Sequence, residues 1–343
     1  MHKTFIGGTS YNISRGKSLI SGTSYNISAG KTLVNGTSYN IGFGPPVDTA
    51  LVYSDNEIVF QRGGIPASGK TLVAKYSNIT DVSHSNSSTI PWNAYISTIN
   101  KANFKDIKEI PSSMAYWFAN ATNLTSLTGS VYIANVTTLK STFYNCINLK
   151  ISPFTGPNVK NMYATFYNCQ KVNGFSVCGT NVTNFAWCYY NTNVNYTMIG
   201  NKVTNLSSTY RECKNLIGHL ESGCPNSVTD MAYAYSNCTK LTGSPVCGPN
   251  VTNMKAAYTN CRNITGTPVC GPKVTDMSGA YAECIKLNGK AVCGNLVTNF
   301  YAAYLNCSNL TGSAVCGPNV IDMGAAYALC PDLSGSVWAG KNV

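Results

Sequence analysis

The C-terminal two thirds of the chain repeat one pattern of apolar and polar positions every 23 residues. Counted from Val251, apolar side chains fall at offsets 0, 3, 6, 7, 10 and 13. These offsets match one face of a helix. The pattern therefore predicts a helical arc in each repeat, with its apolar face turned towards a core.

The pattern restarts so regularly that it predicts a solenoid. Its regular copies begin at Val228, Val251, Val274, Val297 and Val320. Noisier copies begin at Ile110, Val136, Val159, Val182 and Val203, which gives about ten repeats in residues 110–343. A unit of this length cannot bury its own apolar face, so neighbouring repeats are expected to share one core.

The predicted core residues occupy the same few offsets in the five regular repeats. They are Val228, Met231, Tyr235, Cys238, Leu241, Val251, Met254, Tyr258, Cys261, Val274, Met277, Tyr281, Cys284, Leu287, Val297, Phe300, Tyr304, Cys307, Leu310, Val320, Met323, Tyr327 and Cys330.

A break and a short extended segment follow each predicted arc. In one copy the break is Thr265-Gly266, the extended segment is residues 267–270, and Gly271-Pro272 ends it. We expect these segments to stack as a parallel sheet, with the column of residues equivalent to Val269 pointing inwards. The predicted fold class is thus a leucine-rich-repeat-like solenoid, with one short parallel strand and one helical arc per repeat, preceded by a small antiparallel β domain.

The repeat resembles the BspA-like class of bacterial leucine-rich repeats over residues 110–343. The resemblance rests on the order Val-Thr-x-Met/Phe-x-x-Ala-Tyr-x-x-Cys-x-x-Leu-Thr. The chain has Val-Cys-Gly-Pro where that class has Ile-x-Ile-Pro, so the facing of the second cysteine series, Cys247, Cys270, Cys293 and Cys316, stays open. The resemblance implies surface display and adhesion, but no chemistry.

The N-terminus carries a different repeat. A Gly-Thr-Ser-Tyr-Asn-Ile motif recurs with a period of 14, in copies that span residues 3–13, 17–27 and 31–41. Glycine-containing turns between β-prone runs predict hairpins, so residues 1–44 are expected to form an antiparallel meander that docks on a particle. The motif resembles segments of tail and other virion proteins from bacteriophages of Gram-positive hosts. Residues 45–109 are predicted to be a β-rich connector and solenoid cap.

One stretch matches a phosphate-binding sequence. From Gly64 to Thr71 the chain fits Gly-x-x-x-x-Gly-Lys-Thr, a motif that cradles phosphates only between a strand and a helix. The residues after Lys70 look extended, and Gly-Lys-Ser/Thr-Leu already occurs in the 14-residue repeats as a turn that enters a strand. We therefore interpret the loop as a hairpin turn.

Composition argues against several classes of function. Only 11% of residues are charged, the net charge is +11, and the lysines are scattered, which disfavours nucleic-acid binding and suits attraction to acidic wall polymers. His2, His84 and His219 are too scattered to suggest a catalytic triad, so neither an enzyme nor a cofactor is predicted. We see no run of 18 apolar residues and no signal-peptide core.

The fifteen cysteines sit at repeat positions, without a Cys-x-x-Cys pair. Cysteines that recur at one solenoid position behave as small apolar residues, so we predict a mainly reduced ladder rather than a disulfide framework. Cys213, His219 and Cys224 are the only Cys/His grouping, and their spacing does not suit a metal.

These observations lead to a non-enzymatic structural protein of a bacteriophage virion, in tail or capsid, assembled in the host cytoplasm. Its expected partners are other virion proteins, copies of itself, and a host-surface glycan or wall polymer, with no nucleic acid and no membrane insertion. One alternative is a bacterial cell-surface adhesin of the BspA-like class; a weaker one is a nucleotide-binding enzyme that uses residues 64–71. Val337 and Trp338 are predicted to form an interface at the C-terminal end, with self-capping by Trp338 as the alternative.

Overall fold

The structure, a computed structural model, describes residues 48–79, 84–105, 107, 111–129, 133–150, 155–175, 178–218 and 223–334, and the backbone of six strands before residue 48. Four of these early strands pair in chain order as an antiparallel sheet: β1 (His2–Ile6), β2 (Thr9–Ser14), β3 (Lys17–Ile20) and β4 (Thr23–Asn26). The next two, β5 (Lys31–Val34) and β6 (Thr37–Asn40), form an antiparallel hairpin.

A five-stranded sheet covers the start of the solenoid. It contains β7 (Asp48–Tyr53), β8 (Glu57–Arg62), β9 (Leu72–Ser77), β10 (Lys101–Phe104) and β11 (Ser126–Gly129), in the order β11-β10-β8-β7-β9. Strands β7, β8 and β9 are antiparallel, whereas β10 runs parallel to β8 and β11 parallel to β10. The sheet thus changes from hairpin pairing to the parallel pairing of the repeats.

Large aromatic side chains fill the contact between this sheet and the first repeat. Phe60 stacks on Phe104 and Trp117, with ring centroids 4.9 and 5.3 Å apart, and Trp92 meets Phe60 edge-on. The Trp92 indole donates a hydrogen bond to the Trp117 carbonyl over 2.8 Å. The described residues between 48 and 107 therefore bury the N-terminal cross-section of the solenoid core.

The predicted helical arc is wrong. Among the described residues no element is an α-helix, and the segments expected to be helical are chains of tight turns. The amides of Met254, Ala256, Tyr258 and Asn260 each donate to a carbonyl oxygen 22 residues further on, over 2.7–2.8 Å. Between them, the Ala257 and Thr259 amides donate to carbonyl oxygens three residues back, and the Lys255 amide donates to the Asn253 side chain. In an α-helix every amide would instead donate to the carbonyl oxygen four residues back in the same repeat.

The backbone conformation explains why a helix cannot form here. Ala256 and Asn260 have φ angles of 49° and 60°, and positive φ recurs at both offsets in most repeats. Only right-handed residues can continue an α-helix, and asparagine is the non-glycine residue that best tolerates the left-handed region. The recurrent asparagine one residue before the buried cysteine is the sequence signal of this geometry.

We call this run of turns, residues 254–261 in one copy, the turn chain. It nevertheless buries the side chains at the offsets that were expected on the inner face of a helix. Val251, Met254, Tyr258 and Cys261 are at most 2% exposed, and their equivalents from residue 228 to residue 320 are similarly buried. Met323, Tyr327 and Cys330 are only half-buried, because no further described repeat packs on them. Ile110 lies outside the described residues. The pairing of Ser113 with Thr138 puts Pro111 at the offset of Val136.

Parallel pairing between repeats occurs at other positions than the predicted strands, which were residues 267–270 and their equivalents. A continuous ladder of single bridges runs from Ser113 to Asp322, two residues after each opening position. A second, interrupted ladder lies before the predicted strands; it includes the pair β12 (Asn173–Phe175) and β13 (Asn193–Tyr196), and the pair β14 (Gly312–Ser313) and β15 (Leu333–Ser334).

The Val269 side chain is half-buried, whereas the sequence predicted that it points into the core. Its backbone pairs with the hydroxyl of a core tyrosine and not with a neighbouring strand. The Tyr281 hydroxyl donates to the Val269 carbonyl over 2.7 Å and accepts from the Val269 amide over 3.1 Å. The tyrosines at 258, 304 and 327 make the same pair of bonds to the valine twelve residues earlier. Each hydroxyl thereby satisfies two backbone groups beside the core.

Stacked aromatic rings form the centre of the solenoid. Ten rings from Phe118 to Tyr327 lie face to face, with neighbouring centroids 5.3–6.0 Å apart. Each repeat contributes one ring, so the stack joins all the described repeats through one column. Offset-stacked rings add a favourable contact beyond the area that they bury.

The Tyr281→Phe variant tests the hydroxyl bridge. It removes one oxygen and leaves the Val269 amide and carbonyl unpaired, so we expect the free energy of unfolding in urea to fall by about 1–3 kcal/mol. Tyr235→Phe is the matched control, because the buried Tyr235 hydroxyl has no hydrogen-bond partner in the structure. Equal losses in the two variants would contradict a role for the bridge.

Candidate binding surface

The outward positions of the turn chain carry a row of stacked tyrosines. Tyr144, Tyr167 and Tyr190 occupy one offset in three successive repeats, with ring centroids 4.6 and 4.5 Å apart and planes within 10° of parallel. All three are half-buried. Burial raises the pKa of Tyr167, and the neighbouring phenols raise it further, so the hydroxyl stays protonated in neutral solution.

Trp187 extends this row sideways. Its ring lies 5.4 Å from Tyr190 and 6.0 Å from Tyr167, tilted by about 40°. Trp187 has a φ of 60°, as Tyr116 and Tyr233 have φ values of 64° and 57° at the same offset. Bulky residues are rare at positive φ, and such strain costs about 1–3 kcal/mol per residue.

Other repeats fill this left-handed position with small residues. Ser141, Ala164, Ser208, Ala256 and Gly279 occupy the offset that Tyr116, Trp187 and Tyr233 take elsewhere. The repeat geometry therefore does not require aromatic residues here. Aromatic residues at this offset therefore add surface contacts that the backbone geometry does not demand.

Two cations lie over aromatic rings of the same surface. The Lys140 ammonium is 5.5 Å from the centre of the Tyr116 ring and 6.0 Å from that of Tyr163, which is 36% exposed. The Arg211 guanidinium lies 4.9 Å above the Tyr233 ring. These distances are within the range of a cation–π interaction, which holds each positive charge against the surface.

A ladder of side-chain amides lies one residue beyond the tyrosine row. The Asn168 amide donates to Asn145, and the Asn191 amide to Asn168, each over 2.7 Å. We name this set the aromatic turn surface: Tyr116, Lys140, Tyr144, Tyr163, Tyr167, Trp187, Tyr190, Arg211 and Tyr233, with Asn145, Asn168 and Asn191 along its side.

Sequence reasoning missed this surface, because it followed the inward positions. The available signal was the spacing of 23 residues between Tyr144, Tyr167 and Tyr190 at an offset where later repeats have Ser236, Thr259 and Ala282. This aromatic row faces outwards and is not part of the core column.

The loop from Gly64 to Thr71 lacks the surroundings of a phosphate-binding loop. Strand β9 follows it instead of a helix. The Lys70 ammonium bonds the Asp55 carboxylate over 2.7 Å and also the Glu57 carboxylate, which Lys101 approaches to 3.4 Å. Lys70 therefore bridges two acids of the cap.

The two cysteine series have different surroundings, and all fifteen cysteines are free thiols. In the first series each thiol donates to a main-chain carbonyl of the preceding repeat, as Cys261 does to Tyr235 over 3.0 Å, and all but the half-buried Cys330 are buried; its members are Cys238, Cys261, Cys284, Cys307 and Cys330. In the second series, represented by Cys247 and Cys270, the thiol is half-buried. Burial raises the pKa of Cys247 to about 12 and that of Cys270 to about 11, which keeps both thiols protonated and slow to react.

The remaining candidate positions form no site within the described part of the chain. Cys213 donates to the Tyr189 carbonyl, Cys224 is half-buried at the offset of the second cysteine series, and His219 is outside the described residues. The described residues contain no cluster of three metal-ligating side chains and no helix long and apolar enough to cross a membrane. Val337 and Trp338 also lie outside the described residues.

Thiol labelling tests the buried ladder. In denaturant without reductant, a thiol reagent should find all fifteen cysteines free, because none is paired in the structure. In the native protein at pH 8, cysteines of the first series should react much more slowly than Cys247 and Cys270, as read by mass spectrometry. Protection of paired cysteines in denaturant would show disulfides and contradict the ladder.

The Glu57 cluster predicts how acid destabilises the cap. Burial raises the pKa of Glu57, but Lys70, Asn103 and Lys101 outweigh this effect and hold it below its ordinary value. The group therefore contributes stability above its unfolded-state pKa, and that stability is lost as the pH falls through the folded-state pKa. In Lys70→Met the depression of the Glu57 pKa is reduced, so less stability should be lost on acidification than in the wild type, as measured by thermal unfolding between pH 3 and 7. Identical pH profiles would exclude the ion pair as a stabilising contact.

Comparison with solved structures finds two leucine-rich repeat proteins. One, from Eubacterium ventriosum, is 16% identical, with a TM-score of 0.41 over 86% of this chain and 83% of its own. The other, from Bacteroides ovatus, is 14% identical, with a TM-score of 0.35 over 85% and 93%. No curated protein sequence matches significantly. None of these comparisons supports the resemblance to phage virion proteins.

A protein-family model gives the clearest match. The family described as "Mycoplasma protein of unknown function, DUF285" matches residues 73–177 and 180–291, together more than half of the chain. Both segments lie within the cap and the repeats described above. The chain belongs to the DUF285 family.

Proposed function

We propose that this protein is a non-enzymatic adhesin, displayed on the surface of a bacterium, that holds a macromolecular ligand against the aromatic turn surface. The family description places relatives in Mycoplasma, and the repeat resembles the BspA-like class, which implies surface display. This function is the alternative that the sequence left open. The virion assignment has no support from the comparisons and stays a prediction.

The observation that carries the proposal is the strained aromatic residues. Tyr116, Trp187 and Tyr233 occupy left-handed positions that serine, alanine or glycine fill elsewhere. Residues that lower stability and face outwards are commonly retained for binding. Tyrosine, tryptophan and arginine are also the residues enriched at binding hot spots.

The size of the surface suits a polymer rather than a small metabolite. Its residues come from six successive repeats, which at the ordinary spacing of paired strands span about 24 Å. A solenoid exposes such a surface without a deep cavity, and solenoid proteins use extended surfaces to bind other macromolecules.

The Trp187→Ser variant tests this function, with Ser208 as the natural example of serine at the same offset. Ser208 adopts the same positive φ without a bulky ring, so lower strain at this position should partly offset the lost ring contacts, and the melting temperature should change little. Binding of the purified chain to cultured epithelial cells should fall at least tenfold, measured by flow cytometry. Tyr301→Ser is the matched control, because Tyr301 is 52% exposed on a later repeat without this surface.

Two outcomes would contradict the proposal. One is wild-type cell binding by both Trp187→Ser and Tyr167→Ala. The other is failure of antibodies or added protease to reach the protein on intact cells that produce it.

A further inference from the structure

We infer that the ligand of the aromatic turn surface is an anionic polysaccharide, a sugar chain that carries carboxylate or sulfate groups. This inference rests on the proposed binding function and names the chemistry of its ligand. It combines the charge of the repeats, the placement of two cations and the hydrogen-bonding groups beside the rings.

The repeats that bear the surface contain a long stretch without acidic residues. Residues 111–211 contain no aspartate or glutamate, but they contain six basic residues: Lys140, Lys150, Lys160, Lys171, Lys202 and Arg211. All seven acids beyond residue 110 lie at or after Glu212. A surface of one sign raises the local concentration of ligands of the opposite sign.

The two cations at the surface have no acidic partner among the described residues. The Lys140 ammonium and the Arg211 guanidinium lie against rings but form no ion pair there. The Arg211 Nε atom is buried and has no hydrogen-bond acceptor in the structure. The outer nitrogens of this guanidinium are therefore the groups that a ligand oxygen would meet.

The arrangement of the cations suits an extended anion. Lys140 and Arg211 lie three repeats apart, which corresponds to about 14 Å along the solenoid. The tyrosine row and Trp187 lie between them. One ligand that reaches both cations must therefore be a chain with at least two negative groups, lying along the solenoid axis.

The groups between the cations favour a sugar chain over a nucleic acid. The centroid distances of 4.5 and 4.6 Å leave no space for a base between the stacked rings of Tyr144, Tyr167 and Tyr190. Single-stranded nucleic acids are held mainly by bases stacked on free ring faces. The row instead offers ring edges, phenol hydroxyls and the adjacent asparagine amides, which can bond sugar hydroxyls.

The experiment compares three probes on the full chain by isothermal titration calorimetry. They are a hyaluronan hexasaccharide with carboxylates, neutral maltohexaose, and a single-stranded oligothymidylate. We expect the acidic hexasaccharide to bind at least tenfold more tightly than either other probe, and its affinity to fall as salt is raised. Lys140→Gln and Arg211→Gln should each weaken it at least fivefold.

Lys255→Gln is the matched control, because Lys255 occupies the offset of Lys140 in a later repeat, and it should bind like the wild type. Circular dichroism of each variant checks that the fold is intact. Equal affinity for maltohexaose, tighter binding of the oligothymidylate, or no loss in Lys140→Gln and Arg211→Gln would overturn the inference. If no acidic sugar binds but cell binding still depends on Trp187, the inference fails and the adhesin function stands.

Discussion

The hydrogen bonds that join each repeat to the next are the constraint on which the rest of the structure depends. Four amides of every turn chain donate to the following repeat, at each junction from Met114 to Asp322. These bonds fix the register, so residues at one offset must lie above one another. Where the spacing between repeats changes to 21 and 25 residues, after Val182 and Val203, the bonds persist and the connecting segments absorb the difference.

Fixed register turns single residues into columns, and each column has its own chemistry. The core tyrosines stack, the first-series thiols reach the carbonyls of the preceding repeat, and the outward asparagines bond one another. The register also explains the glycine after each second-series cysteine. A Cβ atom on Gly271 would lie 3.0 Å from the Cys247 sulfur and 2.8 Å from the Gly248 carbonyl oxygen. Val-Cys-Gly is thus a packing unit between neighbouring repeats.

The sequence revealed the period and the inward offsets, because burial alone determines both. It could not separate a helix from a chain of turns, since both conformations place residues such as Met254, Tyr258 and Cys261 on one side. The two conformations differ in the carbonyl oxygens to which the amides donate. The only sequence signal of this difference was the recurrent asparagine, which adopts a positive φ. The aromatic turn surface was equally hidden, because Tyr167 and Trp187 belong to no inward pattern and their proximity depends on the register between repeats.

The turn chain also gives the solenoid a direction. The inter-repeat bonds from Met254 to Asn260, and at the equivalent positions, all have the amide on the earlier repeat and the carbonyl on the later one, whereas the Thr252 amide just before them donates back to Thr229. This run of four bonds therefore has donors on one side and acceptors on the other, unlike an ordinary β-sheet edge, which alternates both. Two donor edges cannot hydrogen-bond to each other. The turn chain of the last described repeat can thus be continued only by an edge of carbonyl oxygens.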